Sequence, residues 1–496
     1  MVRTRFAPSP TGFLHIGAIR TALYAYAQAK KHGGQYLLRI EDTDRNRYVP
    51  ESEEAIYRIL DEYGLPADES VVRGGDYGPY RQSDRLSLYK KYAEQLVEQG
   101  AAYYSFETKE ELDEHRKLKE QNNQHDAFRS QYRDLDLEKA KARIVNGEKY
   151  VVRLKVPSNV ELVFEDVLQG KMTFNTDDVD EGILLKSDGF PTYHLAVVVD
   201  DHLMKVTHVF RGVEWIPSTP KHILLYKALG WEMPVIAHLP VILDPSGGKL
   251  SKRKGAVAAD EFLQEGYLPE AILNFLMLLG WSSPVARKHG EAEREFFSLQ
   301  DFVELFDIHD LNKSSPVFNR DKLIWFNQKY IQAMSADRFQ NTYLEWLNKY
   351  NKDEDLVKFF KDAGPDKSQQ MLVLEQNRIK MLSEVGKSLD IYRFKPKKVN
   401  LSEIKQLKKM SKETAENLVR DFSLELEKKE SIRSWGHEDW ESFVRWLAEQ
   451  YSEKAGNVFM LLRIAVCGSP FSPPLYEVLE ILEKEEVITR LNDFSA

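Results

Sequence analysis

The stretch SPTGFLHIGAIRTAL, residues 9–23, decides how the chain begins to fold. Ahead of it VRTRFA, residues 2–7, reads as a short strand, and after Gly17 the apolar positions Ile19, Leu23 and Tyr26 recur at helical spacing. Strand, turn, helix is the local reading. Pro8 and Pro10 forbid a regular continuation of the strand, while Gly12 and Gly17 let backbone approach a ligand or a neighbouring helix. A helix N-terminus after such a turn presents free N–H groups to an anion, and His15 stands where it could donate to that anion. A capping or surface histidine gives the same pattern, so this stretch alone leaves both readings open.

Working outward, 496 residues are too many for one compact core and predict two to five domains. The most apolar run, AILNFLMLLGW at 271–281, is shorter than the ~20 residues of a membrane span and carries Asn274. The N-terminus has no charged segment followed by an apolar one, so a cytoplasmic protein without membrane attachment is expected. A single cysteine, Cys467, excludes an internal disulfide and a cysteine-based zinc site. The twelve histidines lack metal-cage spacing, so no structural metal is expected. The net charge of −9 argues weakly against nucleic acid, but residues 386–410 hold eight Lys and Arg against Asp390 and Glu403. That segment is either a positive patch or a solvated helix face.

Residues 1–105 alternate strand and helix patterns: GGQYLLRIEDTD is a strand ending in acids, SEEAIYRILDEYG a helix, and SDRLSLYKKYAEQLVEQG a second helix, Ser-capped and closed by Gly100. This predicts a parallel sheet with helical crossovers. Residues 106–190 break the pattern with a charged helical stretch and the strand-like YVVRLKV and VELVFEDVLQGKMTF, an inserted α+β subdomain. The α/β pattern resumes over 191–246 with HLAVVVDDHLMKVTHVFRG, the helix TPKHILLYKALGW and the strand IAHLPVIL. After residue 250 strand signals almost vanish. Helical spacing continues to the end, and the expected segments are 247–326, 327–390 and 391–496.

The second informative stretch is GGKLSKRKG, residues 247–255, where Lys249, Lys252, Arg253 and Lys254 surround Ser251 behind two glycines. Such a loop suits a reaction in which negative charge builds on a triphosphate. Neither GxxxxGK[ST] nor a GxGxxG after a strand is present. Taken alone, a lysine-rich loop is also an ordinary solvated surface.

Taken in order, SPTGFLHIGAIRTAL, RIEDTD (39–44), DGFPTYHLAVVVDDHLM (188–204), FRGVEW (210–215) and KLSKRKG (249–255) resemble the signature set of class I aminoacyl-tRNA synthetases. Within that class the chain is similar to the bacterial-type glutamyl-tRNA synthetases, nearly end to end, including the closing LLRIAVCGSPFSPPLYEVLEIL. The resemblance implies a Rossmann-like catalytic domain with an inserted acceptor-binding subdomain, then all-helical stem-contact and anticodon-binding domains. It implies activation of L-glutamate by ATP to glutamyl-adenylate and transfer to tRNA(Glu), releasing pyrophosphate and AMP. A broader scope, charging tRNA(Gln) as well, is left open. The catalytic residues implied are His15, Lys249 and Lys252. Glutamate would meet Arg5, Ala7, Ser9, Glu41, Tyr193 and Arg211, with Arg5 and Tyr193 on the side-chain carboxylate, Arg211 on the α-carboxylate, and Glu41 and Ser9 near the ammonium. The implied ATP contacts are Pro8, His15, Gly17, Glu214, Ile242, Lys249, Leu250, Ser251, Lys252 and Arg253. Mg2+ is expected on the triphosphate. Zinc is not expected, since Ser105 and Phe106 stand where some relatives carry cysteines. A monomer is expected. Two departures bear on side-chain recognition: Val197 stands where some relatives have Asn, and Val213 where an acid is common.

The glutaminyl branch typically has His after HIG and a β-barrel anticodon module, whereas Ala18 and a helical C-terminal half stand here. A queuosine-glutamylating paralogue lacks that half altogether. A small nucleotidyltransferase would be far shorter, and a non-catalytic tRNA-binding scaffold would have no use for His15, Lys249 and Lys252 together.

Overall fold

The first strand, β1 (Arg3–Phe6), is buried along its whole length and lies between two neighbours in a parallel sheet. The computed structural model describes residues 1–122, 127–250, 258–284, 294–432 and 435–495. With β2 (Gln35–Leu38), β8 (His208–Gly212) and β9 (Val235–Leu239), β1 forms a sheet of order β2-β1-β8-β9, every pair parallel. Parallel pairing requires crossovers. The first is α1 (Ile16–Lys31), whose buried Ile19, Ala22, Leu23 and Ala27 follow helical spacing. Alternation along β1 sends Thr4 to one face, where its hydroxyl donates to Ala25 O of α1 at 2.7 Å. Arg3 and Arg5 face the other way.

The chain order explains where a ligand can sit. From β1 the chain crosses to β2 on one side, while β8 lies on the other, so the order reverses at the β1/β8 boundary. At such a reversal the loops leaving the strand carboxyl ends diverge, and in open α/β sheets that is where ligands generally bind. The helix expected to be capped by Ser83 is formed differently: residues Gln82–Arg85 wind as a 3-10 turn, and the helix proper runs Leu86–Glu98. Ser83 instead donates its backbone N–H to Asp42 Oδ1 at 2.9 Å, so a tertiary partner displaces the local cap. Gly100 closes the helix with φ of +71°.

Between the halves of this sheet lies a separate antiparallel sheet, β3-β4-β7, made of β3 (Ala102–Ser105), β4 (Val151–Leu154) and β7 (Ile183–Leu185). A hairpin of β5 (Glu161–Asp166) and β6 (Gly170–Asn175) forms a further two-stranded sheet, with strict exposed/buried alternation along β5. By pairing, β3 goes with the inserted strands and not with the parallel sheet.

Two compact units divide the chain: residues 1–262 with 269–320, and residues 263–268 with 321–496. The second unit contains helices and no named strand among the described residues. Residues 263–268 join it through specific bonds, Trp346 Nε1–H to Leu263 O at 2.8 Å and Leu268 N–H to Asn327 Oδ1 at 2.7 Å. Gly266, with φ of +94°, lies so close to 382–383 that a Cβ would sit 2.6 Å from Ser383 N. The apolar PLYEVLEILEKEEVITRL is broken into helices Leu475–Leu482 and Lys484–Asn492 at Glu483, whose φ is +67°.

Candidate active site

Apart from Tyr193, which begins the helix Tyr193–Leu203, the expected site residues that are described end or follow the parallel strands along the chain. β1 delivers Arg5, then the turn with Ala7, Pro8 and Ser9; Pro8 O accepts the Glu41 N–H at 3.1 Å, tying this turn to the one leaving β2. β8 delivers Arg211 and, in the 3-10 turn that follows, Glu214. Beyond β9 lie Ile242, Lys249 and Leu250. Ser251, Lys252 and Arg253 lie outside the described residues.

Two groupings result. Around the start of α1, His15 is the N-cap: its Nδ1 accepts the Ala18 N–H at 3.1 Å, which leaves the ring proton of a neutral imidazole on Nε2. Gly17 permits this arrangement, because a Cβ there would lie 3.1 Å from His15 Nδ1 and 3.7 Å from Ile242 Cδ1. Ile242 O accepts the Leu250 N–H at 3.0 Å, and Ala259 N–H donates to Leu14 O at 2.7 Å. The described residues on either side of 251–257 are therefore both tied to the neighbourhood of His15. Lys249 Nζ lies 3.3 Å from Glu214 Oε1, so two residues expected at ATP meet each other.

The second grouping is a buried set of charges. Arg39, with no exposure, donates to Glu41 Oε1 at 2.9 Å and to Asp201 Oδ1 at 2.7 Å. Arg5 Nε lies 3.3 Å from the same Asp201 oxygen, and Arg5 Nη1 3.4 Å from Phe210 O. Burial opposes ionisation of Asp201, yet Arg5 and Arg39 hold its carboxyl below the usual range. For Glu41 burial wins over Arg39 and Arg5, and its pKa is raised. Asp200 is engaged by Arg85 at 2.7 Å, Gln82 at 2.9 Å and Tyr89 at 2.7 Å, which fixes the end of the helix Tyr193–Leu203.

Arg211 is different in kind. The residue is buried, 6% exposed, and no carboxylate among the described residues comes within 4.0 Å of its guanidinium. Its partners are neutral: His238 Nε2 at 2.9 Å, His222 Nδ1 at 3.1 Å, Thr219 Oγ1 at 3.1 Å and the Tyr193 hydroxyl at 3.4 Å. Burial, with the Arg211 charge adding to it, holds His222 well below the ordinary imidazole pKa and lowers His238 as well; His194 falls to about 4. Trp215 covers the Tyr193 ring at 4.2 Å between centroids. Val197 is buried in the apolar core, 2% exposed, and offers no hydrogen bond. Sequence reasoning did not single out Arg39, Asp166, Asp201, His222 and His238 as site residues, although Arg39 opens RIEDTD, Asp201 lies in DGFPTYHLAVVVDDHLM and His238 stands inside the apolar run IAHLPVIL.

Ser105 Oγ contacts Glu107 and Ser130 and accepts from Arg153 Nε at 3.0 Å. Among the described residues no group of three or more His, Cys, Asp or Glu could hold a metal ion.

A parallel sheet whose strand order reverses beside its first strand, with charged side chains gathered at the strand ends there, defines an open α/β protein of the class that binds ligands at such a switch point. Residues 1–325 match the catalytic domain of class I tRNA synthetases (E and Q), and residues 339–494 match an anticodon binding domain. The chain belongs to that E and Q family of class I tRNA synthetases. It is 40% identical to the glutamate–tRNA ligase of Prosthecochloris aestuarii, over 99% of this chain and 97% of that protein. It is 38% identical to that of Clostridioides difficile, over 99% and 98%. A solved glutamate–tRNA ligase from Elizabethkingia meningosepticum, in complex with its amino acid, superposes with a TM-score of 0.86 at 35% identity, covering 99% of this chain and 98% of the other. A glutamate–tRNA synthetase from Elizabethkingia anophelis gives 0.83 at 35% identity, covering 99% of each chain.

Proposed function

We propose that this chain is a glutamate–tRNA ligase, using ATP to form glutamyl-adenylate and passing the glutamyl group to tRNA(Glu). The observation that carries the reading is Arg211: a buried, permanently charged guanidinium surrounded by neutral acceptors is a receptor awaiting an anion. An amino acid with a second carboxylate needs a second cation, which Arg5 supplies, and an acceptor for its ammonium, for which Glu41 is placed beside Arg39. Tyr193 lies against Arg211 and faces the same ligand. Ala7 and Ser9 line the turn between these groups and the nucleotide.

In the first step one oxygen of the glutamate α-carboxylate attacks the α-phosphorus of ATP and pyrophosphate leaves. Then a hydroxyl of the terminal tRNA ribose attacks the acyl carbon and AMP leaves. Neither step needs a protein nucleophile; positioning and charge stabilisation suffice. His15 donates through Nε2 toward the phosphates, while Pro8, Gly17, Ile242 and Leu250 shape the adenosine side and Glu214 steers Lys249. Lys249, Lys252, Ser251 and Arg253 meet the charge that develops on the leaving pyrophosphate. Mg2+ enters as the companion of the triphosphate, and no step is assigned to a protein-held ion. The full segment scheme, with stem-contact residues 247–326 and anticodon residues 327–390 and 391–496, and a monomeric state belong to this reading. No helix of the described residues is long and apolar enough to cross a membrane.

The test is charging of purified tRNA(Glu) by the full chain. Arg211→Ala should raise the glutamate KM by about a hundredfold, since a charged hydrogen-bonded pair is worth on the order of 3 kcal/mol. Lys252→Ala should slow adenylate formation by about a hundredfold or more while glutamate affinity is kept. An adenylation rate for Lys252→Ala within about threefold of wild type would remove that lysine from the reaction.

A further inference from the structure

Arg211 does not choose its own orientation. Its Nε–H donates to His238 Nε2 at 2.9 Å, and the other ring nitrogen of His238 lies 2.6 Å from Asp166 Oδ2. Asp166 is 1% exposed and His238 not at all, so solvent cannot substitute for either. A guanidinium only donates, so His238 must present an unprotonated Nε2 and carry its proton on Nδ1, where Asp166 accepts it. The carboxylate is itself immobilised: Oδ1 accepts the Leu168 and Gln169 N–H groups at 2.9 and 2.8 Å in the β5–β6 turn. The line Asp166–His238–Arg211 thus runs from the inserted hairpin through β9 to the cation at the end of β8.

We propose that His238 and Asp166 are positioning residues for glutamate binding: Asp166 selects the His238 tautomer, and that tautomer sets the plane in which Arg211 offers to a carboxylate the one N–H left over from His238, His222, Thr219 and Tyr193. This rests on reading Arg211 as the carboxylate receptor. Neither residue is placed against the ligand, so their effect passes entirely through the guanidinium. The same requirement for an acceptor applies on the other side, where His222 Nδ1 takes the Nη1–H and passes its own Nε2–H to His194 Nδ1 at 3.3 Å.

The geometry of amides separates positioning from mere packing. In His238→Asn the amide reaches the place of Nδ1, keeping the bond to Asp166 but giving Arg211 nothing. In His238→Gln it reaches the place of Nε2, giving Arg211 an oxygen and losing Asp166. In Asp166→Asn the oxygen stays on the turn N–H groups and the NH2 faces His238, forcing its proton onto Nε2, against the Arg211 donor. Charging of tRNA(Glu) by the full-length variants, with glutamate and ATP varied separately, should show the glutamate KM of His238→Asn and Asp166→Asn raised about tenfold or more and that of His238→Gln within about threefold of wild type. The ATP KM should not move in any of them. If His238→Gln loses as much as His238→Asn, if the ATP KM rises in step, or if Asp166→Asn keeps its glutamate KM, the positioning role is wrong. Asp166→Asn and His238→Gln decide the matter even where His238→Asn fails to fold. Arg211→Ala in the same assay tells the two readings apart: an unchanged glutamate KM there removes the receptor itself, whereas a raised one alongside unaffected His238→Asn and Asp166→Asn removes only the positioning line.

Discussion

Arg5 and Arg211 are both expected at glutamate, yet their surroundings assign them unequal freedom. A unit-charge pair near 4 Å is worth about 4 kcal/mol at an effective dielectric of about 20, comparable to the several kcal/mol that burying each ion costs. Arg5 has that compensation from Asp201, 3.3 Å away, so it is held whether or not a ligand is present. Arg211 has none among the described residues, and its compensation must come from the ligand. Arg5→Ala should therefore act on specificity more than on the catalytic step, weakening glutamate use by roughly 2 to 5 kcal/mol and glutamine use far less. The measurement is kcat/KM for the two amino acids with one tRNA preparation; equal losses would make Arg5 a support for Asp201 and Arg39 only.

Among the elements, helix Pro365–Gln376 of the second unit carries a buried carboxyl with little to offset it. Glu375 is 1% exposed; Oε1 has no hydrogen-bond partner, while Oε2 is 3.5 Å from Arg378 Nε. Burial raises its pKa to about 7, Arg378 and Ser388 opposing the rise. The native state then holds a proton that the unfolded chain has released. The stability this contributes is complete below the unfolded value near 4.5 and is lost as pH rises through 7, a change on the order of 3 kcal/mol. Glu375→Gln should flatten that part of the profile. In urea titrations from pH 4.5 to 8, the variant should match wild type at the acid end and exceed it at the alkaline end. Parallel profiles would mean that Glu375 titrates normally.

At the scale of the molecule, a chain of net charge −9 must present local positive charge to meet a polyanion. In the segment 386–410, Lys395 is paired with Asp493 at 2.7 Å and Arg393 lies near Asp390. Lys397, Lys398, Lys405, Lys408 and Lys409 are exposed and form no ion pair among the described residues. Replacing Lys397, Lys398, Lys408 and Lys409 with Ala should weaken tRNA(Glu) binding equally for every anticodon sequence. The slope of log K against log salt should fall by up to about 0.7 to 0.9 for each of these lysines that meets a phosphate. An unchanged slope and affinity would identify the patch as a solvated face, and the anticodon contacts would then belong to other helices of the second unit.

Much of this architecture was legible in the chain itself because it follows from near neighbours. Period-two and period-3.6 apolar spacing marks the strands and helices, and the turn after β1 announces itself through Pro8, Pro10 and Gly12. Motif residues at strand ends gather at one end of the sheet because parallel strands share a direction. What only the tertiary structure decided are the partnerships between residues far apart in sequence. His238 and Asp166, 72 positions apart, meet because the β5–β6 hairpin packs on β9, and no local pattern records that meeting. The absence of a carboxylate beside Arg211 among the described residues, the engagement of Arg5 by Asp201, and the displacement of the Ser83 cap by Asp42 are of the same kind. Periodicity states which face of an element is buried; which charge waits on that face for a ligand is settled only when the elements pack.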